Sequence, residues 1–368
     1  MPMPTVKDAR GESVTTTKRA ERIVSLVPSV TESVARLCGA RRLVGITKFC
    51  TEPEADVPAI RKIGGTKDPD VEAIVALQPD VVLANREENR EEDVAALEAA
   101  GLPVFVGYPR TAREGIEELR TIARTLETAL VRATTDPIKE EIERQEALNA
   151  ERPRVRVFCP IWRRPFMAVG GDTYAGDILR LVGAENVFES HARGNRYPQV
   201  ELSEVARADP AVILLPSEPF HFRRRHRQEM LDLKSITAAR NQHVFLVDGR
   251  WLSWYGHRTR DGLEKLEHLL DRARPDWKAP PRPVKKSKTA AAAKKAAKKV
   301  GAAAKTAGGA KSRLTPAQRE AAKKRAAKRA GKTRKKESRP PERKPKTDVE
   351  MPPGLRLRVE QQEVVEEE

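Results

Sequence analysis

The chain has 368 residues and a formal charge of +17, from 70 Lys and Arg against 53 Asp and Glu. The excess is local: 29 basic and 11 acidic residues fall in 273–368, leaving 41 and 42 in 1–272, so the charge does not come from a basic globular domain. No run of about 18 apolar residues offers a transmembrane helix, no secretory-type apolar stretch follows Met1, and three scattered cysteines form no disulfide framework, a set that points to the cytoplasm.

In chain order, residues 1–21 read as a flexible leader. Arg22–Val27 reads as a strand ended by Pro28. Ser29-Val30-Thr31-Glu32 fits a capping box opening a helix, with Val30, Val34 and Leu37 on one face and Gly39 as its stop. Leu43–Ile46 is a second short strand. The loop Thr47–Asp70 is long enough to suggest a functional role. A helix at Val71–Leu77, a strand at Asp80–Ala84, a helix at Glu91–Ala100 and a strand at Pro103–Val106 complete a parallel α/β lobe over 22–110.

Ala112–Leu130 is helical by its pattern. Asp136-Pro137 then supplies a cap and a first-turn proline for a helix running to about Asn149, roughly 20 Å long. Its charged faces (Lys139, Glu140, Glu141, Glu143, Arg144, Glu146) read as a polar strut, so 111–152 is assigned to connecting helices. The same grammar returns over 153–272, with strands at Arg154–Phe158, Phe166–Val169, Ala211–Leu215 and Val244–Val247. Helices are expected at Ala175–Leu181, Val200–Arg207, Gln228–Leu233 and Asp261–Arg272. The fold class is α/β: two small parallel α/β lobes joined by a long connecting helix, followed by a disordered basic tail over 273–368.

Within that tail, Lys278–Lys346 holds 26 basic and three acidic residues, and no aromatic residue follows Trp277. Such a segment buries too little apolar surface to offset its ordering entropy, although its Ala and Lys content favours a nascent helix at 316–330 on a polyanion. The last 22 residues reverse sign, with seven acidic and two basic residues. The tail suggests a nucleic-acid-associated protein or one held on an anionic surface; in composition it is similar to the Lys/Ala-rich tails of linker histones.

RIVSLVPSVTES, LVGITKFC, GGTKDPDVEAIVALQPDVVLANREEN, GGDTYAGDIL, YPQVELSEV and DGRWLSWYGHR, in this order, resemble the helical-backbone metal receptors. These are the cobalamin and ferric-siderophore binding proteins of ABC importers, and the cobalamin-binding type, in a leaderless branch, is the nearest likeness over 22–272. The resemblance implies a cleft between the lobes, a bound corrinoid or ferric chelate with no covalent cofactor, a monomer, and an ABC permease partner. It also implies one acidic docking residue per lobe, matched by Glu72 and, at the Ser203 position, by its neighbours Glu201 and Glu204. The tryptophans that cobalamin binders carry in the GGTK loop and after the third strand are Thr66 and Asn85 here.

Flat macrocycles bind by burying their faces on aromatic rings while a few polar groups orient them. The loops after the expected strands supply such residues. Phe49, Cys50, Lys67, Asn85 and Glu88 come from the first lobe; Trp162, Tyr197, Glu218, Trp251, Trp254 and Tyr255 come from the second. Lobe packing is the alternative for the aromatics, a solvated face for Lys67 and Glu88, and a small buried thiol for Cys50. Turn formation accounts for Gly64-Gly65 and Gly170-Gly171, since no phosphate-cradling motif surrounds them. His221 and His226 are five apart among arginines and make no metal pair, and no residue set demands catalysis, so no enzyme and no protein metal site are expected.

Overall fold

The computed structural model describes residues 5–16, 19–190 and 196–277. The strands are β1 (Thr5–Lys7), β2 (Ser13–Thr15), β3 (Ile23–Ser25), β4 (Leu43–Ile46), β5 (Val81–Asn85), β6 (Val104–Gly107), β7 (Val155–Phe158), β8 (Pro160–Trp162), β9 (Phe166–Ala168), β10 (Ala184–Asn186), β11 (Gln199–Val200), β12 (Val212–Pro216) and β13 (Val244–Val247). The helices are α1 (Pro28–Cys38), α2 (Val71–Ala76), α3 (Glu91–Ala99), α4 (Ala112–Thr125), α5 (Val131–Leu148), α6 (Tyr174–Leu181), α7 (Leu202–Ala208), α8 (Arg224–Asp232), α9 (Thr237–Arg240), α10 (Arg250–Ser253) and α11 (Thr259–Asp271).

Two four-stranded parallel sheets organise the molecule, in the orders β4-β3-β5-β6 and β10-β7-β12-β13. Counting strands within each sheet, both read 2-1-3-4, so the chain uses one topology twice. Their strands are apolar on both faces because helices cover both. Alternate residues divide the work. Val82 and Ala84 join an outer core with Ile74, Val94 and Leu97, whereas Val81 and Leu83 face inward. In the second sheet Ile213 and Leu215 face an outer core with Val205, Met230 and Ile236, whereas Val212 and Leu214 face inward. The inward faces of both sheets meet one continuous core built with α1, α4, α5, α6 and α11.

The connecting helix is therefore no polar strut. α5 starts at Val131, five residues before the expected cap, and Pro137 lies inside it. Ile138, Ile142 and Leu148 are buried against α4 and α11, and so is Glu141, while Lys139, Glu140 and Glu143 stay on the outer face. Between α5 and α11 lies a buried polar network. Arg144 pairs with Glu141 at 2.8 Å and with Glu267; Gln145 donates to Glu267 at 3.1 Å, and the fully covered Arg152 donates to Gln145 at 2.9 Å.

Other local expectations also change. Pro28 does not end the first strand but opens α1, because its fixed φ suits the first helical position; Val27, not Ser29, precedes the helix. Glu32 therefore caps nothing and is buried, paired with Arg258 at 2.6 Å and Arg36 at 3.1 Å. The expected strand 166–169 leaves the parallel sheet and joins the antiparallel set β11-β9-β8, since β8 turns straight back on it. Residues 5–15, expected within a flexible leader, form the β1–β2 hairpin. Val6 and Val14 are buried there, and Asp8 accepts from Val106 N–H on β6 at 3.3 Å. The basic tail from Lys278 onward lies outside the described residues.

The polar network predicts a stability effect. Glu267→Ala leaves buried guanidinium groups without their carboxylate and should cost about 3–5 kcal/mol. Urea unfolding of the two proteins measures it; a loss under about 1 kcal/mol would mean the network carries little of the α5–α11 seam.

Candidate functional site: the cleft between the two sheets

The carboxyl ends of open parallel strands leave their loops free to converge, and in such sheets ligands bind there. In this chain those ends belong to β5 (then Arg86, Glu87, Glu88), β6 (Tyr108), β7 and β8 (Trp162), β12 (Ser217, Glu218) and β13 (Asp248). The loops from the two sheets touch. Tyr197 donates to Glu87 at 3.0 Å, and Arg196 pairs with the same carboxylate. Arg110 meets Asp172 at 3.2 Å, Asn85 donates to the Tyr255 hydroxyl at 3.4 Å, and Glu52 binds Arg250 at 2.8 Å and Arg258 at 3.0 Å.

The loop after β5 is held by two asparagines. Asn85 accepts from Glu87 N–H at 2.8 Å, and Asn89 ties Asn85 N–H to Leu26 and Thr66 carbonyls. Both asparagines are buried, which fixes where Glu87 and Glu88 stand. Lys67 donates to the Glu87 carbonyl at 2.5 Å, and burial lowers its pKa. Glu88 is reached by solvent yet surrounded by protein, which is the situation of a group inside an open cleft; that crowding raises its carboxyl to about 7, against the pull of Lys67 and with a push from Glu218 across the cleft. Glu218 itself accepts from Ser253 at 2.6 Å, and burial raises its pKa.

Five expected residues, Lys67, Glu88, Tyr197, Glu218 and Tyr255, thus lie around one space. The remaining ones divide. Trp162 is half-buried and meets Phe220 edge-on at 5.8 Å, keeping part of its ring open. Phe49 is 53% exposed, with the Lys48 ammonium 5.3 Å from its centroid. The Trp254 ring is already covered, by Arg250 at 5.8 Å and Arg258 at 5.5 Å, and Trp251 packs against the central core. Cys50 is closed in the core between the Thr31 and Thr47 hydroxyls at 3.1 and 3.2 Å, and burial raises its thiol, so it cannot ligate a metal in the cleft.

Tyr108 escaped the sequence reading. Its ring is the platform for Arg196 at 5.0 Å, Arg86 at 5.4 Å and Arg110 at 6.0 Å, linking both lobes. Its position just after β6 was the available signal. Glu118 on α4 also escaped. Its Oε2 accepts from Tyr108 N–H at 3.0 Å, while Oε1 is buried without a hydrogen-bond partner. Burial raises this carboxyl to about 7. Gly64-Gly65 does turn duty: Gly64 has φ +90°, and a side chain at Gly65 would strike the Asp68 carboxylate. Among the described residues no cluster of three or more His, Cys, Asp or Glu could hold a metal ion.

The family model described as periplasmic binding protein matches residues 23–250, both sheets and the helices between them. The chain belongs to the periplasmic binding protein family. It is similar to the vitamin B12-binding protein of Vibrio parahaemolyticus, 26% identical over 264 residues covering 68% of this chain and 89% of that one. Among solved structures it resembles the periplasmic vitamin B12 binding protein BtuF of Vibrio cholerae (22% identity, 69% and 98% coverage, TM-score 0.59). It also resembles a periplasmic heme binding protein of Pseudomonas aeruginosa (21%, 72% and 96%, 0.60) and Helicobacter pylori CeuE with Ni(II) bound (17%, 74% and 89%, 0.62). The family and the two-lobed α/β fold expected from the sequence are thereby established, and the family is one of binding proteins, not enzymes.

The cytoplasmic expectation is overturned by the same finding, since the family works outside the cytoplasm. Cysteine usage could not decide the compartment, because three isolated thiols are compatible with either. Among the described residues no helix is long and apolar enough to cross a membrane.

Two predictions follow from burial. The Glu118 carboxyl ionises at about 7 in the folded chain and near 4.5 when unfolded, so stability falls as pH rises through that window. Glu118→Gln should therefore raise the urea midpoint at pH 8 relative to the parent and leave it unchanged at pH 4; an unchanged difference at both would rule out the shift. Of the three thiols only Cys38 is not buried, so a native thiol titration should count one reactive cysteine and a denatured one all three.

Proposed function

We propose that this chain is the extracytoplasmic receptor of an ABC-type importer, taking a cobalamin-like corrinoid or a related metal chelate into the inter-lobe cleft. One observation carries the reading: two sheets of identical strand order turn their carboxyl ends toward one space, in a chain that belongs to a binding-protein family. The names of its relatives narrow the ligand class, being vitamin B12, heme and metal-complex binders.

In this reading Trp162 and Phe49 supply ring faces, because they keep exposed aromatic surface. Tyr197, Lys67, Glu88 and Glu218 read the polar edges. Asn85 and Tyr255 act from behind, holding the loop after β5 and the floor. Glu72, exposed in the first turn of α2, serves as the permease-facing acid of the first lobe. In the second lobe Glu204, which forms a reciprocal capping box with Glu201 at the start of α7 and accepts from Glu201 N–H at 2.8 Å, serves as the corresponding acid.

Full-length protein titrated with cyanocobalamin and with hemin, followed by tryptophan fluorescence and calorimetry, tests the reading. At least one should bind at a single site with micromolar or tighter affinity, and Trp162→Ala should weaken it about tenfold, roughly 1.4 kcal/mol. Saturation by neither would end it.

A second reading rests on the net charge of +23 over 278–346, which suits nonspecific, salt-dependent attachment to nucleic acid or another anionic surface. The family match ends at Arg250 and lends it no support. Binding of full-length protein to duplex DNA that does not weaken between 50 and 300 mM salt would exclude it.

A further inference from the structure

The RRRHR run at 223–227 is the sequence feature that the receptor reading leaves unused, and it lies at the cleft-facing end of the second sheet. β12 delivers the chain into the loop 217–223, and α8 begins there with Arg223, Arg224 and Arg225 at its N-terminus. A helix N-terminus carries partial positive charge and favours acidic residues, so three consecutive arginines there repel both the dipole and one another. The neighbouring β8–β9 turn adds Arg163 and Arg164, and Phe220 N–H donates to the Ile161 carbonyl at 3.2 Å, holding the two loops together.

These two loops and the first turn of α8 carry five guanidinium groups and one acid, Glu218, whose carboxylate accepts from Ser253 at 2.6 Å. Arg163 is paired with Glu229 at 2.8 Å, and Arg225 lies against the buried His226 at 3.1 Å. Arg164 and Arg224 are exposed, and neither has an ion-pair partner among the described residues. Arg163, Arg223 and Arg225 all depress the protonation of His226, after burial itself, which places three of the cluster around one point. Beside them stands the aromatic wall of Trp162 and Phe220, with Phe222 at 4.8 Å behind it.

A ring face and a row of unneutralised guanidinium groups side by side match a flat ligand whose periphery carries negative charge. We propose that Arg164 and Arg224, with Arg163 and Arg223 beside them, receive the peripheral carboxylates of an anionic macrocycle lying against Trp162 and Phe220. This rests on the receptor reading and refines it: the cleft selects acidic rings over neutral ones. Guanidinium groups engage carboxylates through paired N–H donors, so the cluster contributes orientation as well as attraction.

The test uses one ring in two charge states. Full-length protein is titrated with cobyrinic acid, whose corrin ring bears free carboxylates, and with its fully methylated ester, at 50 and 300 mM salt. The acid should bind at least about tenfold more tightly at low salt, with the advantage shrinking at high salt as screening grows. Arg164→Gln/Arg224→Gln should lower acid affinity while leaving ester affinity and the thermal midpoint unchanged, since both side chains are exposed and unpaired. Equal binding of acid and ester, or an acid advantage that survives the double substitution, overturns the proposal and leaves the receptor reading standing. Binding of neither ring overturns the proposal, and the receptor reading then stands or falls with the cyanocobalamin and hemin titrations.

Discussion

Everything else in this molecule depends on one apolar core shared by two sheets. Val81, Leu83 and Phe105 of the first sheet and Val157, Val212 and Leu214 of the second belong to the same buried cluster, joined through α1, α4, α5, α6 and α11. Separating the lobes widely would expose that cluster to water, and apolar exposure costs about 25 cal/mol per Å². The Arg144–Glu267–Gln145–Arg152 network adds directionality to the same seam, because its hydrogen bonds and ion pairs require one register of α5 against α11. The lobes are therefore parts of one packed body, and their strand-end loops are held close to one another.

That closeness explains the electrostatics of the strand-end loops. Loops held close without being packed must satisfy their charges across the gap, and they do so with Glu87 on Arg196 and Tyr197, Asp172 on Arg110, and Glu52 on Arg250 and Arg258. Most ring faces are occupied in the same way: Tyr108 carries three guanidinium groups and Trp254 two. What stays open is Trp162, Phe49 and the arginine-rich loops of the second lobe. The crowding also holds Glu88 and Glu118 as acids that ionise near neutral pH, a property of the surroundings and not of their sequence neighbours.

The periodic elements were legible because they rest on local physics. DVVLA became β5, and AVILL became most of β12, since a short run apolar on both faces has few homes other than a covered parallel strand. Misreadings occurred where a partner distant in sequence decides. Ser29 looked like a cap, but Pro28 took the first helical position and Glu32 was recruited by Arg258, 226 residues away. The β1–β2 hairpin has too few apolar residues to be recognised alone; it forms against β6. Lys67, Glu88, Tyr197, Glu218 and Tyr255 were named because they follow strands, whereas Trp251, Trp254 and Cys50 follow strands equally and pack inward or under arginines.

By itself the sequence determined the α/β alternation, the neutrality of the region before the tail and the family to which it belongs, because hydrophobic period, charge count and ordered motifs are properties of the chain alone. Only the tertiary structure decided which side chains share a space. The connecting helix joined a common core, Tyr108 and Glu118 entered the cleft wall, and Trp251 and Trp254 were withdrawn from its surface. The physical reason is that burial and ion pairing depend on distance in space, and α11, α5 and the strand-end loops meet across separations of more than a hundred residues that no local pattern records.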